Sequence, residues 1–494
     1  MGHQRTRPIT PGPALTSGYP RGMSEWHRAP LSEQHESVVR EDIAVADLVT
    51  HYLNRITEHN SSINALVHVG VDYALEQAER VQRSISARDT PPLMGLPSAD
   101  KDLVARAGMP TGYGSLVSKG LPVATTSDPM AVWLDQAGAI SVGKTATSEF
   151  GMSASTESLA TGPTRNPHDL KSSAGGSSGG AAAAVAAGLV PFAPGSDGGG
   201  SIRIPAFACG LVGWKPSRGL IPAGSGGESI ASLVVPGLIT RSVVDLAYAA
   251  EQLILGDYNW STQAPREARG YRRAVESPVR GLTIGFTTAA PWPASWGVEP
   301  DAEAVRALDI AKDALVDAGH SVMELPWQPD QSYAENFMTV WAASAASAPV
   351  PAANDESLEP LTRFLRERGQ ATSAVELSAA VAALRLFERS TIEAFSGCDV
   401  VMTPGLNGPA PAVGWLDATN PERNFRQQVQ LTPWTSFVNV AGLPALAVPA
   451  NYAHGLPLGV QLIGRPGGDG TLMGAAQQIS ERLPEAQKWP QGFD

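Results

Sequence analysis

Two glycine-rich turns, each presenting serine hydroxyls, hold the residues in this chain best placed to do chemistry. The first reads Ser173-Ala-Gly-Gly-Ser177-Ser178-Gly-Gly180 and leads into an alanine-rich run from Ala181 to Gly188. The second reads Asp197-Gly198-Gly199-Gly200-Ser201-Ile202-Arg203. Glycine reaches positive φ freely and lets backbone N–H groups come close to a ligand, but it is entropically costly, so clustering needs a reason. A flexible Gly/Ser linker is disfavoured by the apolar helix and strand material around both turns. A phosphate cradle lacks the Lys-Ser/Thr ending of a P-loop. A serine nucleophile under an oxyanion hole remains: the N–H groups of Gly198, Gly199, Gly200 and Ser201 can converge on one oxygen, as a tetrahedral intermediate requires.

Serine needs a base. One candidate is Lys101, in the semi-apolar segment Leu96-Pro-Ser-Ala-Asp-Lys101-Asp102-Leu103; a rival is Lys144, at a strand end beside Glu149, where a solvated or ion-paired role is expected. The stretch Gly176-Ser177-Ser178-Gly179-Gly180 also matches the G-x-S-x-G elbow of α/β-hydrolases, with Ser178 as nucleophile. That reading needs an acid and then a histidine downstream. Only His320, opening a predicted strand, and His454, in a predicted turn, follow in order, and neither position suits the task.

Taken together, these pieces resemble the amidase signature family of Ser-cisSer-Lys hydrolases. The match runs through Gly95-Leu-Pro97 with Lys101-Asp102, Asn166-Pro167, Gly175 to Gly180, and Asp197 to Pro205. It continues through Gly210 to Pro216, Asn439 to Ala445 and Gly459 to Gly464. The resemblance implies an α/β fold with a mixed, largely parallel twisted central sheet covered by helices on both faces. It implies Ser201 as nucleophile, Ser177 as proton relay after a cis peptide, and neutral Lys101 as base. Asp197 and Arg203 then support the loop, Asp102 orients nearby backbone, and Ser178 and Ser173 hydrogen-bond the loops. The implied activity is hydrolysis of a carbon–nitrogen bond, other than a peptide bond, in an amide or carbamate (urethane). An aminoacyl-tRNA amidotransferase A-type subunit is the alternative within the family. Its Ser-Leu-Asp-Gln stretch is replaced here by Ala231-Ser-Leu-Val-Val-Pro236, which disfavours it.

Composition narrows the field. A net charge of −12 with no basic run argues against a nucleic-acid or anionic-membrane surface, and 43% hydrophobic residues support a large core. Two cysteines, Cys209 and Cys398, make no disulfide framework and fit a reducing, cytoplasmic setting. No Cys/His spacing suggests a metal site, and no cofactor is implied. The expected partner is a small-molecule amide or carbamate, bound by a monomer or homodimer. The longest apolar run, Ala181 to Ala193, is too short to span a membrane.

The elements that must position these residues follow from periodicity. Residues 1–35, rich in proline and poor in apolar residues, predict a disordered tail, and 36–494 one domain. Its catalytic core falls at about 90–250 and its pocket helices at about 330–430. Helical spacing runs from Ile43 to Ile56, over Tyr73–Val81, Asp301–Ala318 (with Gly319 as stop), Tyr333–Ala346, Ala374–Phe395 and Thr471–Leu483. Ser242 is a candidate N-cap. Ile202–Gly210 predicts a short helix whose positive end faces the reaction centre. Leu282–Phe286 and His320–Leu325 frame a strand–helix–strand unit. Ala445–Pro449 and Gly459–Ile463 predict a hairpin turning over Asn451–Leu456. The pocket rim is placed at Leu220–Gly237, with Trp341, Trp434, Gly151 and Met152 as candidate substrate contacts.

Overall fold

The computed structural model describes residues 23–86, 91–221, 229–254 and 270–494. Part of the predicted tail is structured: a 3₁₀ turn at Met23–Arg28 leads into α1 (Leu31–Val39). Leu31 is buried, and its N–H donates to Asp245 Oδ1 at 2.8 Å, which docks the segment on a later helix despite its low apolar content. Residues 1–22 lie outside the described residues, as do 222–228 of the predicted pocket rim.

Next, α2 (Val45–Ile63) buries Leu48, Val49, Tyr52, Leu53 and Ile56, the face its period predicts. A small three-stranded sheet follows, built from β1 (Leu66–Val69), β2 (Pro97–Lys101) and β3 (Ile140–Thr145) in the order β1-β3-β2. Between its strands run α3 (Val71–Ser86) and α4 (Pro129–Gln136). β2 pairs parallel with β3, Asp100 opposite Lys144 and Lys101 opposite Thr145. The pleat therefore sends Lys101 and Lys144 to opposite faces.

The first serine turn leads into α5 (Gly179–Ala186), the second lies between β4 (Phe192–Asp197) and α6 (Arg203–Ala208), and β5 (Val212–Lys215) and β6 (Val235–Thr240) follow. After α7 (Val243–Ile254) and α8 (Tyr271–Glu276) comes the strand–helix–strand unit. It consists of β7 (Thr283–Phe286), α9 (Ala302–Asp317) and β8 (Ser321–Glu324). Ser242 Oγ accepts from Asp245 N at the start of α7, and Gly319, at φ +89, follows α9, both as predicted. A helical layer comprises α10 (Tyr333–Ala346), α11 (Pro360–Ala371) and α12 (Ala374–Phe395). The chain ends with β9 (Val400–Pro404), α13 (Pro421–Leu431), α14 (Ser436–Ala441), β10 (Ala445–Ala453), β11 (Leu456–Gly464) and α15 (Asp469–Arg482).

The large sheet has the order β8-β7-β9-β11-β10-β5-β6-β4. The α/β class with a mixed, helix-flanked sheet holds, but the largely parallel pairing does not. Parallel neighbours in this sheet are confined to β8-β7-β9, and every pair from β9 to β4 is antiparallel. A local connection explains one of these pairs. β10 and β11 meet through the two residues His454 and Gly455, both at positive φ, and such a tight turn can join only antiparallel strands. The hairpin strands are consequently longer than predicted and absorb most of the residues assigned to the turn.

α5 lies on β3 with almost no clearance. A Cβ on Gly180 would sit 2.2 Å from Ala146 N and 2.5 Å from Ala65 O, both backbone atoms that cannot swing aside. Glycine in the first serine motif is thus required by close packing. Gly180→Ala is expected to destabilise the fold by about 2–3 kcal/mol. The expected result is a lower urea midpoint by far-UV circular dichroism than that of wild type. An unchanged midpoint would show that α5 moves away freely.

Candidate active site

The centre of the site is a buried carboxylate–guanidinium pair that fastens the second serine turn. Asp197 ends β4, Arg203 begins α6, and both are fully buried. Arg203 Nε donates to Asp197 Oδ2 at 2.9 Å and Arg203 Nη2 to Oδ1 at 2.8 Å, a two-pronged contact. The guanidinium also donates to Thr435 O, Gln461 Oε1 and Asn439 Oδ1. Asn439 Nδ2 donates back to Asp197 O at 2.7 Å and Leu233 O at 3.1 Å. Burial alone would raise the pKa of Asp197, but Arg203, aided by Lys215 and Asn439, holds it well below the usual carboxylate range.

The remaining capacity of Asp197 shapes the turn. Its Oδ1 accepts from Gly200 N at 2.7 Å, and its Oδ2 accepts from Ile202 N at 3.2 Å and Arg203 N at 3.4 Å. Two expectations are corrected here. Gly200 cannot offer its N–H to a substrate oxygen, because Asp197 already takes it. The positive end of α6 faces Asp197 rather than a reaction centre. Gly200 serves the turn through its φ of +127; a Cβ there would lie 2.6 Å from Thr435 Oγ1. The N–H groups of Gly198, Gly199 and Ser201 make no hydrogen bond among the described residues. A Cβ on Gly199 would meet only Phe337 and Ser436, at 3.8 and 3.7 Å.

Ser201 is partly exposed and lines a cavity of about 60 Å³. On the first turn, Ser178 N donates to Ser201 O at 3.1 Å, tying the two serine turns together. The Gly176–Ser177 peptide is cis. Ser177 Oγ accepts from Lys101 Nζ at 2.7 Å, and Lys101 also donates to Ser196 Oγ at 3.1 Å and Ser196 O at 3.4 Å. Lys101 is 1% exposed. Burial lowers its pKa to about 7, with the Asp197 charge acting in the opposite sense. Gly151, which lines the cavity with Ser201, lies against Ser177: a Cβ there would be 3.4 Å from Ser177 Oγ.

The rival groups are placed otherwise. Lys144 is buried, not solvated, and donates to Val104 O; its partner is not Glu149, whose carboxylate accepts from Ser115 Oγ and Glu359 N. Asp102 accepts from Gly112 N at 3.0 and 3.1 Å and so does orient backbone. Ser173 Oγ accepts from Gly175 N, as expected of a loop serine. Ser178 Oγ is buried and has no partner among the described residues, contrary to its expected role as a loop hydrogen bonder. The elbow reading fails. His320 accepts from Leu282 N and binds Gln478 Oε1, and His454 occupies the β10–β11 turn, so neither partners Ser178.

The cavity wall is more aromatic than the sequence predicts. Trp341, Gly151 and Met152 line it, joined by Trp292, Phe337, Phe425 and Gln428. Phe337 stacks on Trp341 with ring centroids 5.6 Å apart, and Trp292 meets Phe337 edge-on at 5.8 Å. Trp434 is corrected to a core residue: it is fully buried, and its Nε1 donates to Thr288 O at 3.0 Å. Trp292 and Phe425 come from a loop and from α13, remote from any motif. The one available signal was Phe425 on the amphipathic Pro421–Leu431 segment. A second cavity, of about 420 Å³, adjoins the first: both are lined by Ser153, and Asn424 and Gln427 of the larger are chain neighbours of Phe425 and Gln428 of the smaller. Glu157, Glu359 and Asp417 line it. Glu359 is raised to about 7, chiefly by burial, with the Leu159 N–H opposing the rise and Glu149 and Glu157 adding to it. Among the described residues there is no cluster of metal-ligating side chains and no helix long and apolar enough to cross a membrane.

Comparison with known proteins places this geometry. The amidase family model matches residues 47–473, so the chain belongs to the amidase family and is an amide-hydrolysing enzyme. Among its relatives, the putative amidase AmiB2 of Mycobacterium tuberculosis is 37% identical over 445 residues, covering 90% of this chain and 94% of that protein. A substrate complex of 6-aminohexanoate cyclic dimer hydrolase superposes with a TM-score of 0.86 at 27% identity, covering 95% of this chain and all of that one. A bacterial aryl acylamidase superposes with a TM-score of 0.82 at 25% identity, covering 94% and 98%.

Breaking the central pair leaves an uncompensated buried guanidinium. Asp197→Ala is expected to cost about 3–5 kcal/mol of stability, read as an earlier urea transition, with Ser201 labelling by a fluorophosphonate lost in the folded fraction. A variant that keeps wild-type stability and labelling would show that the pair is dispensable to the turn.

Proposed function

We propose that this enzyme cleaves the C–N bond of an amide or carbamate through an acyl-enzyme on Ser201, with Ser177 and Lys101 relaying the proton. The 2.7 Å contact between Lys101 Nζ and Ser177 Oγ, in a buried setting that favours neutral lysine, carries this reading. In the first step Ser201 Oγ attacks the carbonyl carbon. Its proton passes to Ser177, whose own proton moves to Lys101 Nζ. The tetrahedral oxyanion faces the free N–H groups of Gly198, Gly199 and Ser201, donors of the kind whose individual loss typically costs about 10²–10³ in kcat. Collapse breaks the C–N bond. The relay runs in reverse to protonate the leaving nitrogen, without which an amine anion would have to depart. Water, activated by the same relay, then releases the acid. A carbamate that loses its amine first would instead leave a carbonate diester on Ser201, and one that loses its alcohol first would leave a carbamoyl-serine.

The aromatic wall supports an aryl or other flat apolar group beside the carbonyl. The adjoining 420 Å³ cavity supports a substrate longer than a simple amide. A stand-alone role fits the Ala231–Pro236 departure from the amidotransferase pattern. Aryl anilides and aryl carbamates are therefore expected to exceed acetamide in kcat/KM by at least about tenfold, on the scale of one or two buried apolar groups. A preference for acetamide in a panel of p-nitroanilides, aliphatic amides and aryl carbamates would reject the aryl reading. Glutamine hydrolysis that requires an added partner subunit would restore the amidotransferase one.

Loss of a serine nucleophile costs on the order of 10⁶ in kcat, so Ser201→Ala is expected to be inert while retaining wild-type circular dichroism. A fluorophosphonate should label Ser201 alone, mapped by peptide mass spectrometry; labelling at Ser178 would overturn the assignment. Lysine acts as base only when neutral. With its pKa lowered to about 7, kcat/KM should rise with pH through about 7 and level off on the alkaline side. Lys101→Arg should not restore activity, because guanidinium stays protonated. Full activity in Lys101→Ala would reject the relay.

A further inference from the structure

We infer that Ser196 is the positioning residue of the proton relay: it holds both N–H bonds of the neutral Lys101 amine so that the lone pair points at Ser177. The inference rests on the relay proposed above. A neutral amine has two N–H donors and one lone pair, and an ammonium has three donors. Among the described residues Lys101 Nζ has three neighbours within hydrogen-bond reach: Ser177 Oγ at 2.7 Å, Ser196 Oγ at 3.1 Å and Ser196 O at 3.4 Å. Ser177 Oγ is the one hydroxyl of the three neighbours that belongs to the relay. If the lone pair takes the Ser177 proton, both N–H bonds must go to the other two atoms, and both belong to Ser196. One residue thus supplies the whole orienting frame.

The fold explains why one residue can do so. Ser196 lies on β4, the last strand of the large sheet, one position before Asp197. β2 of the small sheet brings Lys101 against it, so side-chain and main-chain oxygens of the same residue face one amine. When Lys101 accepts the proton, all three N–H bonds of the ammonium find these same three oxygens, and no group has to move. The charged group acting on Lys101 from β4 is Asp197, already paired with Arg203. Lys144 on β3 belongs with Asp100 and Asp102, which raise its pKa against the lowering effect of burial. Lys215 on β5 donates to Pro216 O.

The test uses full-length protein and the rate at which a fluorophosphonate labels Ser201 between pH 5 and 10, which needs no knowledge of the substrate. Removing the Ser196 hydroxyl takes more from the ammonium than from the neutral amine, because charge-assisted bonds are the stronger ones. Ser196→Ala is expected to shift the midpoint of the rate profile down by about one pH unit. It should also lower the alkaline plateau by about tenfold, because the lone pair is no longer held in line. Ser196→Thr, which keeps a hydroxyl, should restore both. A lower plateau in Ser196→Ala with an unmoved midpoint, or a wild-type profile, would overturn the inference, as would Ser196→Thr behaving like alanine. Lys101→Ala separates this failure from that of the relay. If Lys101→Ala is slow and flat with pH while Ser196→Ala is normal, only the inference falls. If Lys101→Ala labels like wild type, the relay falls and the inference with it.

Discussion

The buried pair of Asp197 and Arg203 is the interaction on which the rest of the site depends. Its cost is high: two charges lie wholly out of water, and such a pair is tolerable only when every remaining donor and lone pair is used. Here they are. Arg203 reaches Asp197, Thr435, Asn439 and Gln461, residues that lie more than two hundred positions apart in the chain from Arg203 save for Asp197 itself. Asp197 takes the N–H groups of Gly200, Ile202 and Arg203. One pair therefore joins β4, α6, α14 and β11 and sets the turn that carries Ser201. The N–H groups of Gly198, Gly199 and Ser201 make no hydrogen bond among the described residues, and Asp197 fixes the turn through Gly200 and not through them.

A second constraint is proximity between backbones. α5 approaches β3 so closely that Gly180 has no room for a methyl group, and this brings the first serine turn up to the second. The glycines of the two motifs consequently do different work. Gly180 permits contact between elements, Gly200 permits a backbone angle, and Gly199 leaves its outer side to the cavity. A sequence shows all of them as one kind of residue, which is why the cradle read from the motif includes Gly200, whose N–H Asp197 takes.

Much of the rest was legible. Helices with a clear apolar period, such as Tyr333–Ala346 and Ala374–Phe395, fall where the pattern puts them, because burial of one face determines both pattern and element. Lys101 and Ser177 are brought together as the motif order implies. What the chain did not disclose depends on pairings across distance. The antiparallel run from β9 to β4 rests on pairings between distant parts of the chain, and only β10 and β11 are joined by a tight turn. Trp292 and Phe425 reach the cavity from a loop and a helix with no motif of their own, whereas Trp434, equally aromatic, turns into the core to satisfy its indole N–H on Thr288 O. Ser196 carries no signal by type; its meaning lies in standing opposite a lysine from another sheet.

The contrast between Lys101 and Lys144 bears on the choice of Lys101 as the proposed base. Both lie in the same small sheet, both are inaccessible, and burial lowers the pKa of both. The pleat sends them to opposite faces, and the faces differ in the chemistry they offer. Lys144 meets the Val104 carbonyl, an acceptor only, in a region that also holds the carboxylates of Asp100 and Asp102. Its hydroxyl neighbour, Thr111 Oγ1, lies 3.5 Å away, at the outer limit of a hydrogen bond, whereas the hydroxyl at Lys101 lies at 2.7 Å. Lys101 meets Ser177 Oγ, which can accept from an ammonium or donate to an amine. Only a partner able to reverse its role can pass a proton both ways, and amide cleavage needs both directions within one turnover. Desolvation favours the neutral form of either lysine; in the proposed relay it is the hydroxyl in front of Lys101 that gives that form a proton to take.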